Sequence, residues 1–329
     1  MKNTVWLVAE ASGAFVEEER AIPPLESKQV LVRIAASGIN PLDTKIRGVK
    51  AAHAQQPLPA VLGLDMAGTV EEVGPDVTGF KPGDEVYGMV GGVGGLQGTL
   101  AKFIVADSDL LALKPRSLSM RQAGAMPLVT ITAWEGLVDR ANVRAGQTVL
   151  IHAGGGGIGH IAIQIARAKG AEVFASVSAN KSAIVRDLGA TPIDYQSVSP
   201  DEYMEKYTGG RGFDIVYDTV GGATLDASFR VAKRYTGHVL SALGWGSHSL
   251  APLSFRGATY SGVFTLYPML SGEGRSHHGE ILKNAAALVD AGQLTPILNE
   301  RQFSSTEIHD AFAAVEYGAT GKVVVEIEA

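Results

Sequence analysis

The chain of 329 residues contains no cysteine, and that absence excludes several kinds of chemistry. Disulfides, thiolate catalysis and thiolate metal sites all need cysteine sulfur. An excess of positive charge is also missing: the net charge is −6, so we expect neither nucleic acid nor an anionic membrane as a partner. The N-terminal segment has no long apolar run, which predicts a cytoplasmic protein without a signal peptide or membrane span.

What the sequence does contain is a run of four glycines between an apolar strand and an amphipathic helix, in TVLIHAGGGGIGHIAIQIAR at 148–167. In the pattern G-x-G-x-x-G, the glycines permit a tight turn, a close approach of a pyrophosphate and close helix–strand packing. The helix, predicted to begin near Ile158, directs unpaired N–H groups and its positive dipole end at the phosphates. The predicted cofactor-binding residues of this loop are Gly154, Gly155, Gly156, Gly157, Ile158 and Gly159.

A flexible linker or a glycine-rich turn is the alternative for this loop, and its neighbours argue against both. Residues 149–151 form a continuous apolar run that suits a strand buried on both faces, and apolar residues recur at helical spacing after Ile158. A second strand, Ala171 to Val177, completes a βαβ unit. The segment therefore predicts a dinucleotide site.

The end of that second strand indicates which dinucleotide binds. Folds that bind NAD usually place an acid there, whereas this chain has Ser178 and Lys181. Small hydroxyls and a cation accept the additional phosphate of NADPH, so we predict NADPH as the cofactor. The alternative for Lys181 is a solvated lysine at the start of the next helix.

Two different patterns of hydrophobic residues along the chain predict two domains. Alternating runs at Gln29–Ala36, Gly68–Val73 and Asp84–Tyr87, between turn signals, indicate a twisted β-rich domain. From about Pro127 onward, apolar strands alternate with helices, which is typical of a parallel sheet covered on both faces. The predicted strands of this second part and of the C-terminus are Thr148–His152, Ala171–Val177, Phe213–Thr219, His238–Leu243 and Lys322–Ile327.

Many separate motifs then resemble one family. The segment from Gly146-Gln147-x-x-Leu150 through the glycines to Gln164 and Arg167 is similar to the quinone oxidoreductase/ζ-crystallin signature of the medium-chain dehydrogenase/reductase superfamily. The resemblance implies an α/β fold: a GroES-like β-rich catalytic domain from residues 1–124 and 265–329, and a doubly wound Rossmann parallel sheet at 125–264. It also implies a homodimer joined at the Rossmann sheet edges, with Tyr260–Phe264 at the seam. Further matching segments are Asn40–Thr44, Gly63–Val70, Gly83–Gly88, Leu188–Ala190, Asp218–Gly222 and Thr320–Lys322.

The sequence predicts no metal site. Zinc-dependent relatives carry Gly-His-Glu where this chain has Gly63-Leu64-Asp65, and the thiolate ligands are missing too. Without a Lewis acid the oxidation of simple alcohols is disfavoured, while reduction of an electron-poor acceptor remains feasible. For the pair His277-His278 we expect an exposed loop rather than a metal site.

The resemblance also implies roles for single residues. Asn40 and Thr132 are expected near the nicotinamide, with the backbone at Gly244 and the loop at Phe264 covering the cofactor. Tyr195 matches a position that joins the lysine at the 2′-phosphate. The alternatives are a turn-forming side chain for Asn40, which precedes a proline, and an ordinary strand-edge aromatic for Tyr195.

Lys45 stands where many quinone reductases have a tyrosine. We hypothesise that Lys45, together with Asn40 a predicted catalytic residue, stabilises negative charge on the acceptor oxygen. The alternative is a surface lysine on a short helix. Asp43 is expected to be an ionised structural carboxylate that accepts hydrogen bonds from backbone N–H groups, because no neighbour that would raise its pKa is evident.

The sequence thus predicts a zinc-independent, NADPH-dependent oxidoreductase that transfers hydride to quinones or related conjugated carbonyls. Two alternatives stay open: an alkenal or enone double-bond reductase, and a crystallin-like protein that binds NADPH without turnover. The sequence leaves open the acceptor, the proton donor, and whether Gly91–Gly98 is a mobile flap or a simple connection.

Overall fold

The computed structural model describes residues 2–328, which divide into two compact units. The first unit comprises the chain up to Leu128, Leu266–Gly292 and the chain from Pro296 onward; the second comprises Val129–Thr265 and Gln293–Thr295. The expected borders at 124/125 and 264/265 lie close to these bounds. Gln293–Thr295 joins the second unit because Thr295 exchanges two 2.9 Å hydrogen bonds with the Gln164 amide.

The first unit is built mainly on antiparallel strands, with β15 (Phe303–Ser304) and β16 (Val323–Glu326) paired in parallel, which confirms the β-rich prediction. In the described residues, a small sheet has the order β2-β1-β4, and a seven-stranded sheet has the order β15-β16-β3-β5-β6-β8 with β7 paired to β3. The strands are β1 Lys2–Val8, β2 Phe15–Ala21, β3 Gln29–Ile39, β4 Ala60–Val61, β5 Asp65–Val73, β6 Glu85–Met89, β7 Phe103–Asp107, β8 Leu111–Leu113, β15 Phe303–Ser304 and β16 Val323–Glu326.

Helices of the first unit are attached to these sheets by a hydrogen bond and an aromatic contact. The Tyr87 hydroxyl donates to the Leu282 carbonyl at 2.6 Å and so fixes helix α10 (Arg275–Asp290) to β6. The rings of Phe15 and Phe312 lie 4.7 Å apart, which places α11 beside β2. These helices are α1 Pro41–Arg47, α2 Met120–Gly124, α9 Tyr267–Ser271, α10 Arg275–Asp290 and α11 Ile308–Glu316; α3 Pro127–Trp134 begins in the first unit and continues in the second.

The second unit is a parallel sheet of six strands in the order β11-β10-β9-β12-β13-β14, which confirms the doubly wound prediction. Val149, Leu150 and Ile151 are fully buried, as expected for a central strand with both faces covered. The elements are β9 Thr148–Ile151, β10 Glu172–Val177, β11 Thr191–Asp194, β12 Ile215–Asp218, β13 His238–Ser241, β14 Thr259–Gly262, α4 Gly157–Ala168, α5 Ser182–Asp187, α6 Pro200–Thr208, α7 Ala223–Val231 and α8 Ala251–Ser254.

The strand order reverses direction between β9 and β12. From β9 the chain proceeds outward through β10 and β11, then returns to place β12 on the other side of β9. In such sheets ligands bind outside the carboxyl ends of the strands at this point. The topology therefore points to the segment that follows Ile151 as a ligand site.

None of the helices in residues 2–328 has both the length and the hydrophobicity that a membrane span needs.

Candidate functional site

The predicted cofactor residues of the second unit all follow the carboxyl ends of its parallel strands or lie beside them. The glycine loop follows β9, Ser178 and Lys181 follow β10, and Tyr195 follows β11. Gly244 and Phe264 follow β13 and β14. Because parallel strands end at one edge of the sheet, residues distant in sequence share the edge at which the strand order reverses.

The glycine loop is as tightly built as the pattern predicts. A Cβ on Gly159 would lie 2.2 Å from the Ala153 carbonyl oxygen, and one on Gly154 would lie 2.6 Å from the Ala175 Cβ. Helix α4 begins at Gly157, and Gly156 precedes it in extended conformation. The first N–H groups of α4 therefore stand at the carboxyl edge, where a pyrophosphate can approach backbone that carries no side chain.

Lys181 lies beside this loop. Its Cδ is 3.4 Å from the position of a Cβ on Gly155. Asp194, which pairs with Val177 at the end of β10, uses its carboxylate to accept from Gln196 N and Ser197 Oγ. Tyr195 is 56% exposed directly after Asp194. The structure thus places a cation beside the glycine loop; the contact of Lys181 with a 2′-phosphate stays a prediction.

Thr132 and the residues after β14 form a second group in this unit. The Thr132 and Thr265 hydroxyls lie 3.1 Å apart, and Thr265 Oγ1 donates to Glu135 at 2.9 Å. The rings of Phe264 and Trp245 meet edge to face at 6.1 Å. These contacts tie the loop after β14 to α3, so Thr132 and Phe264 belong to one neighbourhood.

Gly244 lies against the end of a tyrosine side chain. A Cβ at Gly244 would lie 2.3 Å from the Tyr260 hydroxyl oxygen, so the turn after β13 contacts a side chain of β14. The predicted covering role of this backbone stays a prediction.

A buried polar cluster at the same edge was missed by the sequence reasoning. His152 Nδ1 lies 2.9 Å from Ser176 Oγ, and burial lowers the pKa of His152 to about 4, although Asp218 opposes this shift. Asp218 accepts from Gly221 N at 2.9 Å and from Ser241 Oγ at 2.7 Å. The cluster holds the turns after β9 and β12. Its only signal in the sequence is a polar residue at the end of each apolar strand.

In the first unit, the predicted catalytic residue Asn40 lies inside a buried charged cluster. Its Nδ2 donates to Asp65 Oδ2 at 2.9 Å, and its Oδ1 accepts a short hydrogen bond from Lys322 Nζ. Asp65 Oδ1 accepts from Leu128 N at 2.8 Å. Asn40, Asp65 and Lys322 are 1%, 0% and 5% exposed. The Asn40 side chain thus hydrogen-bonds two charged residues, in addition to preceding the proline that begins α1.

Asp43 corrects one expectation. It does accept from a backbone N–H group, Asn40 N, at 2.8 Å. However, burial and the nearby Asp65 raise the pKa of Asp43 to about 7, so the expectation of an ordinary ionised carboxylate is wrong. Its second oxygen, Oδ1, is buried and has no hydrogen bond to the described residues within 3.5 Å, although the nearby Asn40 side chain partly offsets the rise of the pKa. The neighbour that raises this pKa, Asp65, lies on strand β5 and is 22 positions away from Asp43 in the sequence, so the local pattern does not reveal it.

Lys45 is exposed on α1. Partial burial, and after it the nearby charge of Lys45, lower the pKa of His53. A cavity of about 360 Å³ adjoins the next turn of the chain, lined by Ile46, Val49, Pro57 and neighbouring residues. Lys45 thus directly precedes Ile46, which lines the cavity. Its catalytic role stays a prediction.

The expected exposed loop at His277-His278 is wrong. Both residues lie in α10, where His278 is fully buried and the His277 side chain is 48% exposed. The helical periodicity of α10 was missed because Gly272, Glu273 and Gly274 directly before it read as a loop. Within residues 2–328, no three His, Asp or Glu side chains form a group that could hold a metal ion.

The Gly91–Gly98 segment is held in place by hydrogen bonds. Gly94 N donates to the Ala54 carbonyl at 2.9 Å, and Gly95 N donates to Gln56 Oε1 at 2.8 Å. A Cβ on Gly91 would lie 1.9 Å from the Gln97 carbonyl oxygen. Gly91, Gly92 and Gly98 thus permit close packing of the backbone, with no room for a Cβ, beside the segment that lines the cavity.

Comparison with known protein families agrees with this geometry. Residues 26–116 match the alcohol dehydrogenase GroES-like domain, and residues 157–273 match the zinc-binding dehydrogenase family. The NADPH-dependent alkenal/one oxidoreductase of Arabidopsis thaliana chloroplasts is 34% identical over 332 residues, which are 97% of this chain and 78% of that protein. The chain belongs to the medium-chain dehydrogenase/reductase superfamily.

Solved structures of this superfamily show the same fold over nearly the whole chain. An alcohol dehydrogenase superfamily protein from Novosphingobium aromaticivorans is 57% identical with a TM-score of 0.97, over 99% of this chain and 100% of that one. The quinone oxidoreductase from Coxiella burnetii is 26% identical with a TM-score of 0.83, and all of both chains is covered. The oxidoreductase fold of the superfamily therefore extends over the described residues.

The packing of the glycine loop generates one prediction. Gly159→Ala forces a methyl group against the Ala153 carbonyl and should lower the free energy of unfolding by about 1–3 kcal/mol. Gly155→Ala is the matched control, because its Cβ would meet only the Lys181 and Val177 side chains at 3.4–3.5 Å. Urea unfolding measures both, and equal effects would contradict the assigned packing.

The raised pKa of Asp43 generates a second prediction. Between about pH 4 and about pH 7 the unfolded chain releases a proton that the folded chain keeps, so the free energy of unfolding falls as pH rises. Asp43→Asn removes this titration. The stability of the variant relative to wild type should therefore increase by a few kcal/mol from about pH 4 to about pH 8.

Urea unfolding at a series of pH values measures this difference. Asp187→Asn, on the exposed surface of α5, is the control whose difference from wild type should stay constant with pH. A constant difference for Asp43→Asn as well would mean that Asp43 is ionised in the folded protein throughout this range.

Proposed function

We propose that the protein is a zinc-independent, NADPH-dependent reductase of quinones or related conjugated carbonyls. The observation that carries this proposal is the placement of Lys181 against Gly155, at the carboxyl edge where the first N–H groups of α4 are open. Backbone N–H groups bind a pyrophosphate there, and Lys181 binds the 2′-phosphate. NADPH, when bound, supplies the hydride.

The residues of this chain bind and orient the cofactor. Gly154 to Gly159 cradle the pyrophosphate, and Ser178 and Tyr195 line the adenosine end beside Lys181. In the second unit, Thr132, the Gly244 backbone and Phe264 hold and cover the nicotinamide end. The role of Asn40, in the first unit, near the nicotinamide is a separate part of the proposal. His152 is neutral because burial lowers its pKa to about 4, so it adds no charge to the loop.

Zinc independence is supported by the chemistry of the side chains. Leu64 is fully buried and offers only carbon where zinc-dependent relatives carry histidine. Asn40 and Asp65 are hydrogen-bonded to each other, and the cation that they share is the Lys322 ammonium. A divalent ion at this point would have to displace that ammonium.

An alkenal or enone double-bond reductase is the second candidate. The relative from Arabidopsis thaliana is named an alkenal/one oxidoreductase, whereas the quinone oxidoreductase from Coxiella burnetii is less similar in sequence. Both activities add hydride to a conjugated carbonyl system and use the same cofactor site. The acceptor therefore decides between them.

The deciding experiment offers NADPH with an ortho-quinone, a para-quinone and a short enone in separate reactions. Loss of NADPH absorbance with quinones supports the first candidate, and loss with the enone alone supports the second. Saturable NADPH binding without turnover would indicate the crystallin-like alternative. No binding of NADPH by calorimetry would overturn the proposal.

Lys181 generates a prediction about cofactor choice. Lys181→Ala removes one charge-assisted contact to the 2′-phosphate and should raise the Kd for NADPH about tenfold or more, with little change for NADH. Lys206→Ala, an exposed lysine on α6, is the matched control. Calorimetric titration measures both cofactors, and an equal loss for NADPH and NADH would contradict the assigned role.

Lys45 is proposed to stabilise negative charge that develops on the acceptor oxygen. Lys45→Met should then lower kcat/KM about tenfold, whereas Lys50→Met, an exposed lysine just after α1, should have no effect. Unchanged turnover in Lys45→Met would remove Lys45 from the site.

We further propose a cytoplasmic homodimer. Strand β14 ends the six-stranded sheet, and Tyr260 and Phe264 are 36% and 37% exposed at this edge. An edge strand with open backbone groups can pair with the same strand of a second copy. Sedimentation velocity tests the dimer, and a monomer at micromolar concentration would contradict it.

A further inference from the structure

The carboxamide of Asn40 lies between two side chains of opposite charge. Its Nδ2 donates to Asp65 Oδ2 at 2.9 Å, and its Oδ1 accepts from the Lys322 ammonium. All three residues are at most 5% exposed. Both polar atoms of the amide are therefore engaged by charged partners away from bulk water.

Three adjacent strands create this arrangement through their register. Val323 of β16 pairs with Ile39 of β3, so Lys322 lies beside Asn40. Gly38 of β3 pairs with Asp65 of β5 on the other side. The neighbours of Asn40 are thus set by sheet pairing.

The backbone around Lys322 is held equally firmly. Lys322 N donates to the Ile297 carbonyl at 2.8 Å, and its carbonyl accepts from Asn299 N at 2.9 Å. Gly321 has φ +78°, and a Cβ there would lie 2.4 Å from the Leu298 carbonyl carbon. Asp65 is fixed by Leu128 N on its other oxygen. The backbone of Lys322 and the carboxylate of Asp65 are thus each held by contacts that do not involve Asn40.

These partners permit only one orientation of the amide. An ammonium has donors alone and a carboxylate has acceptors alone. Rotating the carboxamide by half a turn would set its NH₂ group against Lys322 and its oxygen against Asp65. Both contacts would be repulsive in a buried site, where electrostatic interactions are weakly screened.

We propose that Asp65 and Lys322 are positioning residues that fix the Asn40 carboxamide in the single orientation that its proposed role at the bound cofactor or acceptor requires. This inference rests on the proposed function, because contact of Asn40 with the nicotinamide end is itself a proposal. Asp65 and Lys322 act through Asn40 and do not touch the reacting atoms.

The test is a mutant cycle with steady-state kinetics as its readout. Lys322→Met alone would leave Asp65 buried without its cation, so the two charges are removed together in K322M/D65N. We expect kcat for NADPH oxidation to fall about tenfold or more, because a misplaced catalytic amide loses its alignment, while the KM for NADPH changes less. In an Asn40→Ala background the same pair of substitutions should cost less than about twofold.

Two further variants separate positioning from general damage. Lys322→Arg keeps a cationic donor and should retain more of the activity than K322M/D65N. Removing the Lys233–Asp214 ion pair, 2.7 Å long in the other unit, by K233M/D214N should leave kcat unchanged. The inference would be overturned if K322M/D65N lowered kcat by the same factor in the Asn40→Ala background as in wild type. An unchanged kcat in Asn40→Ala itself would also overturn it.

A second readout does not depend on turnover. In protein labelled with ¹⁵N at asparagine, the Asn40 side-chain amide, assigned by its loss in Asn40→Ala, should give two separate proton signals that exchange slowly. In K322M/D65N the exchange should be faster, and unchanged signals would overturn the inference. If wild type oxidises no NADPH with any acceptor, the proposed function fails, and these signals alone decide whether Asn40 is positioned.

Discussion

Helix α4 lies so close to the turn after β9 that no methyl group fits between them. The Gly159 Cβ position is 2.2 Å from the Ala153 carbonyl oxygen. This approach sets the start of the helix at the carboxyl edge of the sheet, where its first N–H groups have no partner within the helix. Lys181 reaches the same place from the end of β10. The packing of α4 thus places backbone donors at the edge to which the end of β10 brings a cation.

The two units use charge in opposite ways. At the edge of the parallel sheet, Lys181 stands near open backbone donors and is available to an external anion. In the other unit, Lys322, Asp65 and Asp43 are enclosed and engage one another. Enclosing charges costs desolvation energy, so their pairing is weak evidence for stability. What such a cluster supplies is a fixed direction for the neutral Asn40 amide that it contains.

Local patterns predicted most of the fold. The strands around Gln29–Ala36 and Thr148–His152 follow from apolar alternation or an apolar run, and α4 follows from glycines ahead of a helical repeat. The candidate cofactor residues of the glycine loop, and Lys181, were predicted from the same βαβ unit. Two expectations concerned the surroundings of a residue rather than a local pattern, and both were wrong: the ordinary ionised state of Asp43 and the exposure of His278. The character of Gly91–Gly98 was left open by the sequence for the same reason. Each depends on partners far away in the chain.

The sequence by itself determined the elements and the glycine loop, because hydrophobic period and the lack of a Cβ are properties of a few consecutive residues. Only the tertiary structure decided which charges meet. Asn40, Asp65 and Lys322 are up to 282 residues apart, and the pairing of β16, β3 and β5 makes them neighbours. Burial then sets their protonation, since the cost of removing a charge from water exists only once the chain has folded around it.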